Sequence, residues 1–279
     1  MPVYFESRKN KRSTNQDYHL FMEYRINHEA MIRIFLVADG MGGLACGELA
    51  SSLAGEKWLL KLQKFTMSKE FLGRSLNEQI ENLKRFSYQA VEEINEEVYR
   101  ELSDRGITGG TTLTTGILYW DTLILANCGD SPAYLYQKKG NSFVSLSREQ
   151  NAAEELLKEG KVTKDSPEYR RHKHLLTDYI GKYRRAEPHV TLVPFCAGDM
   201  LLIGSDGAFG NLQENQIKNI VKEKEHAPEQ IVRDILSASE QLGEEDNQTL
   251  IVYMEEPKEN IIEKKKGKWS LFQKRQAVK

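Results

Sequence analysis

Two long stretches of the chain carry apolar residues at the three- and four-residue spacing of an amphipathic helix. The first covers residues 48–64 and the second about residues 76–102, with charged residues between the apolar ones. Stripes of this kind normally face a hydrophobic core. Three shorter helices are predicted at 149–160, 213–224 and 227–242.

Short apolar runs bounded by turn residues predict strands. The clearest is MIRIFLVA, which begins at Met31 and is followed directly by Asp39. Further strands are predicted at 111–119, 122–128, 133–137, 142–146, 200–206 and 248–254. The four runs between 111 and 146 are joined by only a few residues, too few for a parallel crossover, so they predict an antiparallel meander. The order of helices and strands indicates the α+β class with antiparallel sheets.

Aspartates stand at the ends of several predicted strands. A single Asp at such a place is normally a turn or cap residue, but a set of them is an oxygen-rich ligand set suited to Mg²⁺ or Mn²⁺. The set is Asp17, Asp39, Asp130, Asp206 and Asp246. Glycines at 40, 42 and 43 free the backbone after Asp39 to turn tightly or approach a ligand. The sequence contains no HExxH helix, Walker A loop or GxSxG elbow that would indicate another chemistry.

Bulk composition narrows the class of protein. The 279 residues are 39% hydrophobic and 29% charged, which suits a globular protein with a real core. A net charge of −2 creates no field that would attract nucleic acid. Three well-separated cysteines without CxxC spacing indicate reduced thiols. With neither a secretory signal nor an apolar run of membrane-spanning length in the sequence, we expect a cytoplasmic protein that binds no nucleic acid.

The charge balance changes near Pro257. Residues 257–279 contain eight basic and two acidic residues, a net charge of +6. We therefore predict one domain over residues 1–256 and a basic, disordered tail over 257–279. The tail also carries Trp269, Leu271 and Phe272, and a second interpretation is weak contact with an anionic membrane or an acidic partner.

Six motifs occur in an order that resembles a known family. They are RSTNQD (12–17), VADGMGG (37–43), GGTTLTTGIL (109–118), NCGDS (127–131), GDMLLIGSDG (198–207) and EEDNQTLIVYM (244–254). The set resembles the metal-dependent PPM, or type-2C, Ser/Thr protein phosphatases and covers about residues 5–255. Met41 stands where the animal enzymes have histidine, which is typical of the bacterial branch.

The resemblance implies a fold and a metal centre. The fold would be a four-layer α-β-β-α sandwich of two antiparallel sheets, with the helices of residues 48–102 on one outer face. A dinuclear centre of Mn²⁺ or Mg²⁺ would lie at one end, with a weaker third ion in bacterial members. Asp39 would bridge the two ions, and the carbonyl of Gly40 would be a further ligand.

The other site residues are carried over from the same motifs. Asp206 and Asp246 would complete the first metal, and Asp17 would act on the second through water. Asp130 would hold the third ion together with Asp206. Gln16 replaces the family's glutamate, and its neutral amide argues against direct ligation. Arg12 matches the arginine that holds the substrate phosphate, since a guanidinium can bind two phosphate oxygens at once.

The implied activity is hydrolysis of phosphoserine and phosphothreonine by a metal-bridging hydroxide, without a phosphoenzyme intermediate. The partners would be phosphorylated proteins, including a Ser/Thr kinase and its substrates, and the enzyme would be a monomer that acts in signal transduction. The alternative is a pseudophosphatase, the same fold kept as a binding or regulatory module.

Two departures from the family pattern affect the mechanism. Met41 cannot donate a proton, so the donor could be a metal-bound water or one of two histidines, His172 and His174, in the basic segment 161–189. Pro132 replaces the arginine of the family's GDSR, which removes a possible ion pair near Asp130. The basic segment is a candidate flap over the site. Two interpretations of its positive charge stay open: it favours acidic phosphosubstrates, or the segment is simply a solvated loop.

Overall fold

The computed structural model describes residues 2–43 and 46–255. Its strands are β1 (Val3–Arg8), β2 (Tyr18–Arg25), β3 (Met31–Ala38), β4 (Gly40–Gly42), β5 (Gly109–Thr111), β6 (Leu113–Tyr119), β7 (Thr122–Cys128), β8 (Ala133–Gln137), β9 (Ser142–Ser145), β10 (His189–Pro194), β11 (Met200–Gly204) and β12 (Gln248–Met254). Its helices are α1 (Cys46–Thr66), α2 (Lys69–Leu72), α3 (Leu76–Asp104), α4 (Ala152–Lys158), α5 (Pro167–His172), α6 (Asp206–Phe209), α7 (Glu214–Glu223) and α8 (Pro228–Gln241).

The strands form two five-stranded sheets, and every neighbouring pair in them is antiparallel. One sheet has the order β1-β12-β11-β8-β9 and the other the order β10-β7-β6-β3-β2. The short strands β4 and β5 pair separately. In the first sheet β1 lies beside β12, with Arg8 opposite Gln248. This pairing brings the loop after β1 next to the loop before β12.

Alternation along the central strands divides the core into three layers. On β3, Ile34 and Leu36 pack under α1 and α3, whereas Phe35 and Val37 face the other sheet. On β12, Val252 packs under α7 and α8. Successive side chains of a strand point to opposite faces, so a strand that is apolar at every position can fill two layers at once. The result is the predicted four-layer α-β-β-α sandwich, with α1 and α3 on one outer face.

Most of the predicted elements are confirmed, but the meander is wrong. The residues from 113 to 145 form two hairpins, β6–β7 and β8–β9, which belong to different sheets. The chain crosses between the sheets just after Cys128, where Gly129 adopts a φ of 106°. Pro132 follows, and it has no N–H with which to continue the ladder of β7. The crossing places Asp130 at the end of the sandwich.

The sequence pattern missed three strands of the two large sheets, together with the short strand β4, and it extended two others. β1, β2 and β10 lie at sheet edges, and their half-buried residues lack a continuous apolar run. The run 111–119 is broken at Thr112, and the run 200–206 ends at Gly204 because Asp206 begins α6.

Two sequence expectations concern other parts of the chain. The predicted tail, residues 257–279, lies outside the described residues. Among the helices within 2–43 and 46–255, none combines the length and apolar character required to cross a bilayer.

Candidate metal and phosphate site

The loops at one end of the sandwich bring Arg12 and Asp246 together. The Arg12 guanidinium donates to Asp246 Oδ2 at 2.7 Å. Both side chains reach into solvent, with exposed fractions of 59% and 37%. The antiparallel pairing of β1 and β12 explains the contact, because it fixes the two loops side by side.

Thr112 holds Asp39 at the end of β3. The Asp39 N–H donates to Thr112 Oγ1 at 2.9 Å, and the Asp39 carbonyl accepts from the Thr112 N–H at 2.9 Å. The same hydroxyl lies 2.6 Å from Ser131 Oγ, beside Asp130. One buried threonine therefore connects the backbone of Asp39 to the loop that carries Asp130.

Gly40 is required for close packing and not for an unusual turn. A Cβ on Gly40 would lie 2.2 Å from the Gly47 carbonyl oxygen and 2.6 Å from the Gln16 carbonyl oxygen. Gly47, near the start of α1, is equally confined, since its Cβ would meet Gly40 C at 2.7 Å. Of the glycines that follow Asp39, Gly42 has the positive φ, 138°. The expectation that Gly40 frees the backbone to turn is therefore replaced by close approach of β4 and α1.

Asp17 is buried against the loop that carries Asp206. Ser205 Oγ donates to Asp17 Oδ2 at 2.9 Å and accepts from the Thr249 N–H at 3.0 Å. The second oxygen, Asp17 Oδ1, is buried and has no hydrogen-bond partner within the described residues. A buried carboxylate oxygen without a hydrogen-bond partner lowers the stability of the folded protein. A cation, or a water molecule bound to a cation, would supply the missing partner.

The five predicted aspartates are electrostatically coupled. Loss of water contact, followed by repulsion from the other four carboxylates, raises the pKa of Asp39 well above its usual range. Burial and then repulsion from Asp206 raise the pKa of Asp130 in the same way. Burial is the main cause that raises the pKa of Asp17 to about 6. The pKa of Asp206 is raised by burial and then by Asp246. The cluster therefore favours the binding of cations, which would offset the repulsion among its carboxylates.

Two adjoining clefts open over this cluster. The first, of about 440 Å³, is lined by Asp39, Gly40 and Met41 together with Arg12 and Asp246. The second, of about 500 Å³, is lined by Arg12, Asp246, His174, Lys11, Glu244 and Glu245. Arg12 and Asp246 form the boundary between the two clefts.

The residues fit divalent metal ions by the chemistry of their donors. Clustered carboxylates, a backbone carbonyl at Gly40 and the partnerless Asp17 Oδ1 are the oxygen ligands that Mg²⁺ and Mn²⁺ prefer. Within residues 2–43 and 46–255, no group of three or more His, Cys, Asp or Glu side chains is arranged so that it could by itself hold a metal ion. The individual ligand assignments therefore stay predictions.

Sequence reasoning gave no role to Asn247, which shapes the phosphate side of the site. Asn247 Nδ2 donates to the carbonyls of Lys9 and Thr14, both at 2.9 Å. Its Oδ1 accepts from the Gln16 N–H at 2.9 Å. Asn247 thus braces the loop that carries Arg12. Its position directly after Asp246 was the available signal, although the sequence does not show which loop it would bind.

The two histidines proposed as proton donors both belong to the segment 161–189 but have different surroundings. His172 lies on α5, and its Nδ1 is 2.8 Å from the Glu168 carbonyl oxygen. His174 lines the second cleft with Arg12, and its charge acts on the Asp206 carboxylate. Only the second of the two histidines therefore lies at the site.

The raised pKa of Asp17 predicts how stability changes with pH in the metal-free protein. The folded state holds a proton up to about pH 6, whereas the unfolded chain loses it near the usual value of 3.8. Folding therefore binds a proton between these values, and stability falls as the pH rises through them. Without metal, we expect the unfolding temperature to fall by about 5 °C between pH 4.5 and 7.

Thermal unfolding in EDTA and in saturating Mn²⁺ would check this expectation. Mn²⁺ should reduce or reverse the fall, because metal binding requires the deprotonated carboxylate. Asp17→Asn is the control variant, since asparagine keeps the shape of the side chain but cannot bind or release a proton in this pH range. The same pH slope in Asp17→Asn and in the wild type would contradict the role given to this carboxyl group.

Comparison with known proteins agrees with the fold and with the predicted family. A family model described as Protein phosphatase 2C matches residues 3–156. The serine/threonine phosphatase stp of Listeria welshimeri is 31% identical over 226 residues, covering 78% of this chain and 83% of that protein.

Solved structures share the fold. The S. agalactiae serine/threonine phosphatase superimposes with a TM-score of 0.74 at 24% identity, covering 91% of this chain and 99% of that one. The catalytic domain of the phosphatase PstP, solved with two manganese ions, gives a TM-score of 0.69 at 23% identity, covering 90% of this chain and 97% of that one.

These findings define a protein-serine/threonine phosphatase, a phosphoric monoester hydrolase, of the bacterial type. The chain belongs to the protein phosphatase 2C family.

Proposed function

We propose that the chain hydrolyses phosphoserine and phosphothreonine in proteins with the help of two Mn²⁺ or Mg²⁺ ions. The observation that carries the proposal is the cluster of five coupled aspartates, which lies beneath a cleft lined by Arg12. A binding module would have no need for four buried carboxylates, at Asp17, Asp39, Asp130 and Asp206, whose pKa values are raised by burial and then by repulsion from neighbouring carboxylates. The two manganese ions in the structure of PstP, which has the same fold, support the choice of metal.

The metal ligands are assigned as the sequence motifs suggest. Asp39 would be shared by the two ions, the Gly40 carbonyl would supply a further oxygen, and Asp206 with Asp246 would complete the first. Asp17 would act on the second ion through water. Asp130 would share a third ion with Asp206, which fits the repulsion between these two carboxylates.

The protein's own groups bind and orient the phosphate. Arg12 is exposed in the cleft and can offer two parallel N–H donors to phosphate oxygens. Its contact with Asp246 directs the guanidinium toward the aspartate cluster. Bound Mn²⁺ or Mg²⁺ would lower the pKa of a water molecule and offset the charge of the phosphoryl group. Attack by water at phosphorus would then release the alcohol directly, with no covalent enzyme intermediate.

The substrates would be proteins phosphorylated by a Ser/Thr kinase, including the kinase itself. We propose that the enzyme acts as a monomer, because its ligand and phosphate residues all come from one chain. The alternative is a pseudophosphatase that only binds phosphoproteins. The experiment that tests for activity also distinguishes between these two functions.

That experiment is hydrolysis of a phosphothreonine peptide and of p-nitrophenyl phosphate by the full chain. Each substrate is tested with added Mn²⁺, with Mg²⁺ and with EDTA. We expect turnover with Mn²⁺ or Mg²⁺ and complete loss in EDTA, with recovery when metal is returned. A folded protein that binds the peptide but hydrolyses neither substrate with any metal would favour the pseudophosphatase.

A further inference from the structure

Asp39 and His174 line different clefts at the site, and Arg12 lines both clefts. Asp39 lines only the first cleft and His174 only the second, whereas Arg12 and Asp246 line both. A phosphate held by Arg12 can therefore be reached from the cleft that contains Asp39 and from the cleft that contains His174. In-line displacement at phosphorus requires the attacking and leaving oxygens to lie on opposite sides. Attack from the first cleft would direct the departing alcohol toward the second cleft, which His174 lines.

The backbone around His174 is fixed to the body of the protein. The Ala152 N–H donates to the Leu175 carbonyl at 2.8 Å, and the Leu175 N–H donates to the His172 carbonyl at 3.1 Å. Asn151 and Leu176 form an isolated antiparallel bridge. Residues on both sides of His174 are therefore held, while its ring is exposed and makes no hydrogen bond within the described residues. A ring in this state is available to a substrate.

Apart from Asp39, which is assigned to the metal ions, the charged side chains of the two clefts and Met41 are poorly suited to give up a proton. Met41 has none to give. Lys11 is paired with Glu245 at 2.9 Å, and Arg12 is paired with Asp246 at 2.7 Å. Glu244 Oε1 accepts from two backbone N–H groups. Imidazole is the side chain that ordinarily exchanges a proton near neutral pH.

We propose that His174 is the general acid of the reaction, which gives its proton to the serine or threonine oxygen as that oxygen leaves. This inference rests on the proposed phosphatase function. The water oxygen forms a bond to phosphorus while the bond from phosphorus to the alcohol oxygen breaks. The electron pair of the broken bond stays on the alcohol oxygen, which takes the proton from an imidazole N–H. The attacking water loses a proton to solvent, and solvent returns one to the ring, so that inorganic phosphate and a neutral alcohol are released.

The test compares leaving groups that differ in their need for a proton. p-Nitrophenolate leaves readily as an anion, whereas a threonine alkoxide does not. His174→Gln should therefore lower kcat for a phosphothreonine peptide by about 100-fold, the lower end of what general acids contribute. It should lower kcat for p-nitrophenyl phosphate less than threefold, with KM for both substrates little changed. Phenyl phosphate has a leaving group, phenolate, that is similar in size to p-nitrophenolate but leaves less readily. The loss of kcat for phenyl phosphate should therefore resemble the loss for the peptide.

His172→Gln is the matched control, because it makes the same change two residues away in the same segment. It should leave kcat for all three substrates within twofold of the wild type. Equal losses for the peptide and for p-nitrophenyl phosphate in His174→Gln, or a change in KM alone, would overturn the general-acid role while the phosphatase function stands. A wild-type enzyme inactive toward every substrate would overturn both.

Discussion

Asp39→Asn is expected to lower kcat by about 1,000-fold or more while the protein stays folded. The substitution keeps the shape of the side chain and leaves the backbone bonds to Thr112 intact. It removes the carboxylate that interacts with all four other aspartates of the site. Loss of one well-placed electrostatic group in an active site commonly costs 100- to 1,000-fold, and a carboxylate shared by two ions should cost at least that much.

The metal-free variant should be more stable than the wild type. Removing one of five mutually repelling carboxylates relieves repulsion, and roughly 1 kcal/mol of relief corresponds to a rise of about 2–4 °C in unfolding temperature. Mn²⁺ should raise the unfolding temperature of the wild type much more than that of Asp39→Asn, because a ligand stabilises only the state that binds it. Turnover and thermal unfolding with and without Mn²⁺ are the measurements.

Asp121→Asn is a suitable control for this experiment. Asp121 is exposed in the turn between β6 and β7, outside the aspartate cluster. It should change neither turnover nor the response to Mn²⁺. Near-normal turnover in a folded Asp39→Asn protein would refute the assignment of Asp39 as the central metal ligand.

Gly40→Ala is expected to destabilise the protein and to disable the site together. The added Cβ would lie 2.2 Å and 2.6 Å from two backbone carbonyl oxygens, and neither can rotate away as a flexible side chain would. The start of α1 or the loop of Gln16 must move. Overpacking of this kind costs about 3 kcal/mol, which lowers the unfolding temperature by roughly 6–12 °C. Displacement of Asp39 should reduce kcat by about 100-fold, since small misplacements near the chemistry have effects of that size.

Gly43→Ala provides the matched control three residues further on. A Cβ at Gly43 would meet no atom within 4 Å among residues 2–43 and 46–255, and its φ is not in the left-handed region. Its unfolding temperature and kcat should equal those of the wild type. If Gly40→Ala behaved in the same way, the close approach of β4 and α1 would not be a requirement of the site.

The central strands and long helices could be predicted because buried positions require apolar residues, and these recur in the sequence at the spacing of a strand or a helix. β3 and β12 are buried on both faces and are therefore apolar at nearly every position. α3 carries its apolar stripe at helical spacing. The edge strands β1 and β10 are buried only in part, so polar residues interrupt them and the pattern fails. The crossing after Cys128 escaped prediction because a short link between strands normally joins neighbours in one sheet.

The candidate site was predictable as a set of residues but not as an arrangement. Aspartates at strand ends and the order of six motifs indicated the acidic centre and Arg12. The contacts that position them depend on distant partners, such as Thr112 with Asp39 and Ser205 with Asp17. Serine and threonine hydroxyls occur throughout the sequence, and nothing local distinguishes those that brace a site. Gly47 was missed for a related reason, because a glycine inside a helical pattern gives no indication of the strand that will pack on it.

The pairing of β1 with β12 has a consequence for how the protein is made. Arg12 and Asp246 are 234 residues apart in sequence, yet they form one contact at the site. At a synthesis rate of roughly 5–20 residues per second, Arg12 emerges on the order of 10–50 s before its partner. The first sheet lacks a central strand during that interval. A ribosome-bound chain is therefore without a complete site until Asp246 has emerged, so phosphatase activity cannot begin while the rest of the domain is still being synthesised.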